Sequence, residues 1–401
     1  MGLNDTPSGE RLHIGFFGRR NAGKSSIVNA VTGQDLAIVS SAKGTTTDPV
    51  YKAMELLPLG PVMMIDTPGF DDSGALGELR IRKTRQVLNK TDIAILVVDA
   101  AEGLCTADKE LLALFKTRAL PWLIVWNKCD LMPDFSTSTP NEILVSALKQ
   151  ENIYELKERI GQLAPEENNR HLLRDKLQPG EFILLVVPID SAAPKGRLIL
   201  PQQQVIREII DAGAMAVITR ESELALTLAK LGQKPALVIC DSQVFQRVDK
   251  ETPADILLTS FSILMARYKG FLAQAVHGVH AVDQLQDGDT ILIAEGCTHH
   301  RQCDDIGTVK IPRWLHQYTG RQLQIKTCSG TEFPEDLSPY ALIIHCGGCM
   351  LNPREIAYRM KCAAMQQIPI TNYGTFIAYT HGILKRSLQI FPELIQTPAS
   401  L

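Results

Sequence analysis

No apolar run in the chain approaches the roughly 20 residues that a membrane-spanning helix needs, and no cluster of lysine and arginine marks a surface for nucleic-acid phosphates. The first absence argues against a helical membrane anchor. The second, with a formal net charge of −3, argues against a nucleic-acid partner. The N-terminus is polar and lacks the apolar core of a secretory signal. Nine cysteines, an odd count, fit a reducing compartment better than a disulfide framework, so the expected location is cytoplasmic. A length of 401 residues with ordinary hydrophobic content predicts two to three domains, each able to bury a core.

What is present starts with a nucleotide site. Leu12 to Phe17 reads as a buried strand running into Gly18-Arg19-Arg20-Asn21-Ala22-Gly23-Lys24-Ser25, the phosphate-loop pattern GxxxxGK[ST] in its strand–loop–helix setting. Its glycines let backbone N–H groups, those of Ala22 and Ser26 included, curl round the β-phosphate, and the helix that follows adds the positive end of its dipole. Lys24 is placed to reach the β- and γ-phosphates, and the Ser25 hydroxyl to ligate magnesium. Asp66-Thr67-Pro68-Gly69 closes a second apolar run. There Asp66 would hold magnesium through water and the Gly69 N–H would sense the γ-phosphate. Between the two, Gly44-Thr45-Thr46-Thr47-Asp48 is a polar segment of the kind that closes over magnesium, with Thr46 as the expected ligand and Thr45 the near alternative.

The base pocket follows. Asn127-Lys128-Cys129-Asp130 ends the strand at residues 122–126, and the Asp130 carboxylate can accept from N1 and the 2-amino group of guanine. Adenine supplies neither donor. Ser146-Ala147 completes the pocket through a backbone N–H to the guanine O6. The sum points to GTP rather than ATP, with Lys24, Thr46, Asp66 and Gly69 carrying hydrolysis.

Phe70 follows Gly69, where many GTPases place a glutamine that orients the attacking water. Intrinsic hydrolysis is therefore expected to be slow or assisted. The stretch around Asn21, with Ala37-Ile38-Val39-Ser40 and the Gly-Thr-Thr segment, resembles the tRNA-modification and Era-like branch of GTPases. That resemblance implies that Asn21 helps hold a potassium ion against the phosphates, where other systems use an arginine finger.

A polar break near Ala164 and Pro165 ends this first domain, expected over residues 1–165. Beyond it, apolar runs at 182–187, 215–219, 236–240 and 255–259 alternate with helical patterns at 201–212, 221–231, 242–248 and 262–275. Strand and helix in turn predict a parallel sheet with right-handed crossovers, an α/β unit over residues 170–284. It holds no phosphate loop, acid pair or metal spacing, so it reads as a structural or self-association module. The helical pattern from Ser262 carries apolar residues on more than one face, a hint of a subunit contact. Cys129 and Cys240 end apolar strands and Cys362 lies in a helical pattern; all three read as buried small hydrophobes.

A third α/β unit, residues 285–401, begins before the strand Thr290 to Ala294, which ends in Glu295-Gly296-Cys297-Thr298-His299-His300. A later strand, Tyr340 to Ile344, ends in His345-Cys346-Gly347-Gly348-Cys349. Ligand sites of parallel sheets gather at the carboxyl ends of strands, so these segments, roughly fifty residues apart, can meet in space. Three thiolates select zinc, copper(I) or an iron–sulfur cluster. Zinc would take a fourth ligand from His299, His300 or His345. A cubane cluster is retained by three thiolates. A metal-free dithiol at Cys346 and Cys349 is a further option.

The pattern C-x-H … H-C-x-x-C behind a potassium-type GTPase domain resembles the FeFe-hydrogenase H-cluster maturation GTPase family. The resemblance extends through Thr45-Thr46-Thr47-Asp48-Pro49-Val50 and through Asp304-Asp305-Ile306-Gly307 with Lys310-Ile311-Pro312-Arg313. It implies three domains, for GTP binding, dimerisation and cluster binding. It implies a 4Fe-4S cluster on Cys297, Cys346 and Cys349, with His299 and His345 as candidates for the fourth position or for support around it. Cys303 stands outside the family pattern and is a spare candidate. It further implies that a homodimer receives a two-iron precursor made with two radical-SAM maturases and delivers it to the apo FeFe-hydrogenase, with GTP, Mg2+ and K+ as the nucleotide-site ligands. A different class, a translation- or tRNA-associated regulatory GTPase with a structural zinc, is the alternative.

Overall fold

Side chains that point alternately to the two faces of a strand decide how the N-terminal segment layers. The computed structural model describes residues 6–33, 48–57, 59–69, 75–137, 139–165, 170–189, 198–296, 305–330 and 332–395. It divides into two compact units, Met1–Asn168 and Asn169–Leu401.

In the first unit, strands β1 (Leu12–Phe17), β2 (Val50–Leu56), β3 (Gly60–Asp66), β4 (Ile93–Asp99), β5 (Trp122–Asn127) and β6 (Glu142–Leu144) form one sheet in the order β2-β3-β1-β4-β5-β6. Only β2 runs antiparallel to its neighbour. Ile14, Phe16, Val62, Met64, Ile93 and Ile95 face helices α1 (Lys24–Thr32) and α4 (Ile153–Gln162). Phe17, Met63, Ile65, Ala94 and Leu96 face α2 (Ala75–Asn89) and α3 (Thr106–Thr117) on the other side. Both faces are covered, which is why the strands read as continuous apolar runs.

The second unit carries two parallel sheets. The first joins β7 (Phe182–Val186), β8 (Met215–Thr219), β9 (Leu237–Cys240) and β10 (Leu257–Ser260) in the order β10-β9-β7-β8, with crossover helices α5 (Leu200–Asp211), α6 (Leu224–Lys230) and α7 (Phe245–Glu251). A single helix is expected from residue 262 to 275, but the structure has two, α8 (Phe261–Tyr268) and α9 (Leu272–Gly278). The chain turns at Gly270, whose φ of +84° favours glycine, and the Phe271 N–H folds back onto the Ala266 carbonyl at 2.9 Å. The apolar faces of α8 are covered within the chain: Phe261, Ile263, Leu264, Met265 and Ala266 are all buried. Their apolarity therefore serves the unit's own core rather than a subunit contact.

The last sheet joins β11 (Thr290–Glu295), β12 (Gln324–Ser329), β13 (Leu342–His345) and β14 (Ile370–Asn372) in the order β12-β11-β13-β14, flanked by α10 (Ile311–Thr319), α11 (Pro353–Met365) and α12 (Tyr373–Thr380). Ile291, Ile293 and Ile344 pack towards α10 and α12. Leu292, Ala294 and Ile343 pack with α11 into one core continuous with the preceding sheet. That shared core makes residues 169–401 one unit. All pairings are parallel, and Ala294 sits opposite both Cys328 and His345, so three strands end at one edge.

Candidate functional site

The phosphate loop leaves β1 and enters α1 at Lys24 through Gly23, whose φ is +91°. A Cβ there would stand 2.1 Å from Asn127 Nδ2, so a side chain is excluded by both conformation and space. Lys24 is 7% exposed, and its ammonium donates to the carbonyl oxygens of Gly18 (2.8 Å) and Arg19 (2.7 Å), which holds it against the loop. Ser26 occupies the first turn of α1, and Asn21 is exposed in a left-handed conformation. Asp66 ends β3 and accepts the Ser25 hydroxyl on Oδ2 at 2.6 Å, while Oδ1 is buried without a hydrogen-bond partner. Burial pushes the Asp66 carboxyl above its usual range, opposed by the Ser25 hydrogen bond and the Lys24 charge. A buried carboxylate oxygen without a partner, beside a serine hydroxyl, fits the donor set of a hydrated divalent cation. Gly69 lies against the Arg20 backbone, which brings the end of β3 to the loop. Thr45, Thr46 and Phe70 lie outside the described residues.

The base-pocket segments are tied to the loop and to each other. Asn127, 3% exposed, donates through Nδ2 to the Ala22 carbonyl (3.0 Å) and accepts the Ala147 N–H on Oδ1 (3.1 Å). The amide expected at guanine O6 therefore already has an intramolecular acceptor that it would share. The Ser146 N–H donates to the Glu151 carbonyl at 3.3 Å. Lys128 is anchored to Asp99 at 2.5 Å, and Asp130 stands 3.9 Å from Lys149. Cys129 sits in the turn beyond β5, not at the strand's buried end, with Sγ 3.8 Å from Glu151.

If Asp130 reads guanine through two charge-assisted hydrogen bonds, Asp130→Asn should cost GTP about 3 kcal/mol, roughly a hundredfold in affinity. Xanthosine nucleotides, which present an acceptor in place of the 2-amino donor, should gain. Competition binding of GDP against XDP measures this, and unchanged GDP preference would refute the assignment.

The second site lies at the carboxyl ends of β11 and β13. The Cys346 N–H donates to the Ala294 carbonyl at 2.9 Å, and Cys346 Sγ accepts the N–H groups of Gly296 (2.9 Å) and Gly348 (3.3 Å). Gly348 has φ +65°, and a Cβ would meet Ile356 at 2.7 Å, so the Cys346–Cys349 loop can close only with glycine there. The loop then enters α11, capped by Asn352, whose side chain accepts the Glu355 N–H at 3.0 Å. Burial raises the thiols: Cys346 is pushed up, with the Gly296 and Gly348 amides opposing, and Cys349 is pushed up to about 11. Buried sulfurs with amides aimed at one of them fit a site built for thiolate ligands. Cys297, His299, His300, Cys303 and Asp304 lie outside the described residues. Among the described residues no three of histidine, cysteine and carboxylate gather as a metal-ligand group.

His345 is fully buried, its Nε2 3.0 Å from Arg359 Nη1 and its Nδ1 2.6 Å from the Cys346 carbonyl. A guanidinium only donates, so Nε2 accepts and Nδ1 carries the proton. Burial, then the Arg359 charge, pulls its pKa down to about 3, so the ring is neutral. Both ring nitrogens of His345 are thus engaged within the chain, one by Arg359 and one by the Cys346 carbonyl.

The C-terminal unit matches the descriptions of two domains of one family. The hydrogen maturase F dimerization domain matches residues 172–270, and the hydrogen maturase F tetramerization domain matches residues 273–390. The chain belongs to the hydrogen maturase F family. In this maturase chain residues 13–128 also match a domain described as a 50S ribosome-binding GTPase, which fits the P-loop sheet seen there. The tRNA modification GTPase MnmE of Thiobacillus denitrificans is 35% identical over 156 residues, covering 39% of this chain and 34% of that protein. The protein of the same name from Chromobacterium violaceum is 40% identical over 123 residues, covering 30% and 27%. The match thus spans about a third of the length of these curated relatives. The crystal structure of Aquifex aeolicus Era bound to GDP and aluminium fluoride aligns with 52% of this chain and 91% of that chain, at 18% identity and a TM-score of 0.34.

Several residues at the maturase's second site carry no sequence signal. Arg359 is fully buried, bonded to Glu355 at 3.0 Å and to the Gly330 carbonyl. An i,i+4 Glu–Arg pair on a helix ordinarily reads as a solvated surface pair. Cys328 lies one residue before the end of β12, with its thiol pushed up to about 11 by burial. Buried Glu295 accepts the Tyr373 hydroxyl at 3.4 Å.

Proposed function

We propose that this chain is a GTP-hydrolysing scaffold of hydrogenase maturation. It holds a 4Fe-4S cluster on Cys297, Cys346 and Cys349 and delivers a two-iron precursor to apo FeFe-hydrogenase. The observation that carries this reading is the Cys346 sulfur receiving the Gly296 amide, which places the residue next to Cys297 against the Cys-x-x-Cys loop. The family assignment supports it. When bound, the cluster supplies a redox-active anchor with one iron open to exchange. The chain's own residues hold it: Cys346 and Cys349 as thiolates, Gly296 and Gly348 as amide donors to sulfur, His345 and Arg359 as the frame of the loop. The two-iron unit is cargo, received from two radical-SAM maturases. The proposed division is 1–165 for GTP, 170–284 for dimerisation and 285–401 for the cluster.

On the nucleotide side, Lys24 would bind the phosphates, Ser25, Thr46 and Asp66 would hold magnesium, and Gly69 would sense the γ-phosphate. GTP state would then govern partner exchange. With Phe70 unable to orient water, a monovalent cation near Asn21 is the proposed source of added charge; the MnmE relatives favour this. GTP turnover should rise by roughly tenfold or more when potassium replaces sodium at equal ionic strength; equal rates would remove Asn21 from that role. The edge strand β8, with Met215 and Ile218 half exposed, supports a homodimer, which light scattering of the intact chain would show or refute.

The test of the whole reading is activation. Apo FeFe-hydrogenase mixed with this chain co-produced with its two maturases should evolve hydrogen. Chain produced without them should not activate it. Activation independent of the chain would overturn the scaffold role.

A further inference from the structure

We propose that the last sheet carries a second self-association face at its amino-terminal edge, an aromatic patch centred on Tyr318 and Tyr379 that docks a second copy of this chain. The face is separate from the β8 edge offered above for the homodimer, and it stands at the opposite end of its sheet from Cys346. Two isologous faces on one chain close into a dimer of dimers.

Three elements build the patch on one side of the sheet: the 3₁₀ segment Val279–Gln284, α10 and α12. Their inner sides are apolar, with Val282, Leu315 and Phe376 buried against the strands. Trp314 and Tyr318, one helical turn apart on α10, stand beside that buried row. Helix α12 leaves the carboxyl end of β14, and α10 leads into the start of β12. In a parallel sheet both helices therefore end at the amino-terminal edge, which places Tyr318 and Tyr379 away from the cysteine loop.

The rings are held in place by one another and by one acid. Tyr318 and Tyr379 have centres 6.0 Å apart, His280 meets Tyr379 edge-on at 5.1 Å, and Trp314 meets His381 edge-on at 5.8 Å. Asp283 accepts the Tyr318 hydroxyl on Oδ1 at 3.0 Å and the Tyr379 hydroxyl on Oδ2. His280 Nδ1 stands 3.2 Å from the Tyr379 hydroxyl. Rings ordered before docking lose little side-chain freedom on contact. Tyr318 is nevertheless 42% exposed, and His280 and Asp283 are exposed beside it.

Composition and family together name the occupant. The cores of protein interfaces are rich in tyrosine and tryptophan and poor in lysine and glutamate. The segments Val279–Gln284, Ile311–Thr319 and Tyr373–Thr380 contain neither lysine nor glutamate, whereas α11 on the other side of the sheet carries exposed Lys361. A carboxylate, two imidazoles and an indole N–H give the patch both acceptors and donors, as contact between identical faces requires. All of it falls within residues 273–390, which match the hydrogen maturase F tetramerization domain, while the middle domain matches the dimerization domain. A second copy is therefore the occupant. The edge strand β12 of the same domain presents exposed Lys326, a charge that blunts pairing along an edge.

Sedimentation velocity of the full chain across a dilution series tests the face. Wild type should reach a tetramer, and Tyr318→Glu should stop at the dimer, with dimer–dimer association weakened roughly tenfold or more. Tyr318→Ser, which adds no charge, should shift the same equilibrium in the same direction, and it is read alone if Tyr318→Glu does not fold. Met365, 75% exposed at the end of α11, is the control, and Met365→Glu should assemble as wild type does. A Tyr318→Glu protein as tetrameric as wild type would overturn the proposal, and so would equal dissociation of Met365→Glu. A wild type that never exceeds a dimer would also overturn it; loss of apo-hydrogenase binding in Tyr318→Glu would then assign the face to that partner. Iron and sulfide uptake should be the same in wild type and variants, so a failure of the cluster reading leaves this test standing.

Discussion

Lys24→Ala should sharply weaken nucleotide binding and leave the proposed C-terminal centre loaded. The Lys24 ammonium is held against the phosphate loop by the Gly18 and Arg19 carbonyls, both acceptors that a triphosphate can replace with stronger, charged ones. Charge-assisted hydrogen bonds contribute about 1.5–3 kcal/mol each, so losing contacts to two phosphates should weaken GTP binding roughly 10²- to 10⁴-fold. The loop itself should persist, because Asn127 still bonds the Ala22 carbonyl and Gly23 keeps its geometry. Iron and sulfide content should not change, since residues 169–401 bury their own core. Calorimetric titration with GDP, next to metal analysis of the same sample, checks both halves. Retained GDP affinity would contradict the nucleotide assignment, and loss of iron with it would contradict the independence of the two units.

On the proposed scaffold reading, Cys346→Ser should remove the cluster and hydrogenase activation together. A serine hydroxyl is a poor ligand for iron where thiolate is required. It can still accept the Gly296 and Gly348 amides, and the backbone bond from residue 346 to Ala294 is untouched. The fold should therefore survive, with thermal unfolding shifted by only a few degrees, about 1 kcal/mol. GTP hydrolysis should continue. Iron per chain, the EPR signal of the reduced protein and hydrogen evolution after mixing with apo-hydrogenase are the readouts. Activation that survives without the cluster would make the cysteine site incidental to function.

The sequence makes the strands legible where both faces are buried, because continuous runs such as 12–17 and 122–127 have no other economical fold, and their ends fall beside Gly18 and Asn127. It makes the phosphate loop legible because the spacing of glycine, lysine and serine has one stereochemical use. The cysteine segments are legible through parallel topology alone: strand ends at Glu295 and His345 share an edge. Other features depend on tertiary contacts that no local pattern encodes. The break at Gly270 is invisible in a helical run whose apolar periodicity continues across it. Nothing in the local sequence marks Lys269 or Arg359 as buried, yet both are enclosed once α8 and α11 are packed. His345 reads in the sequence as either a ligand or a support around the site, because histidine beside cysteine can serve as both. Its actual partners, Arg359 and the Cys346 carbonyl, come from a helix fourteen residues on and from its own neighbour.

The central claim is that one chain joins a GTP site to an iron–sulfur site. Iron, sulfide and zinc content after anaerobic purification and reconstitution, with EPR of the dithionite-reduced protein, tests it most directly. The account predicts roughly four irons and four sulfides per chain and an S = 1/2 signal, both lost in Cys297→Ser. One tightly held zinc with no sulfide would contradict it and leave a regulatory GTPase with a structural metal.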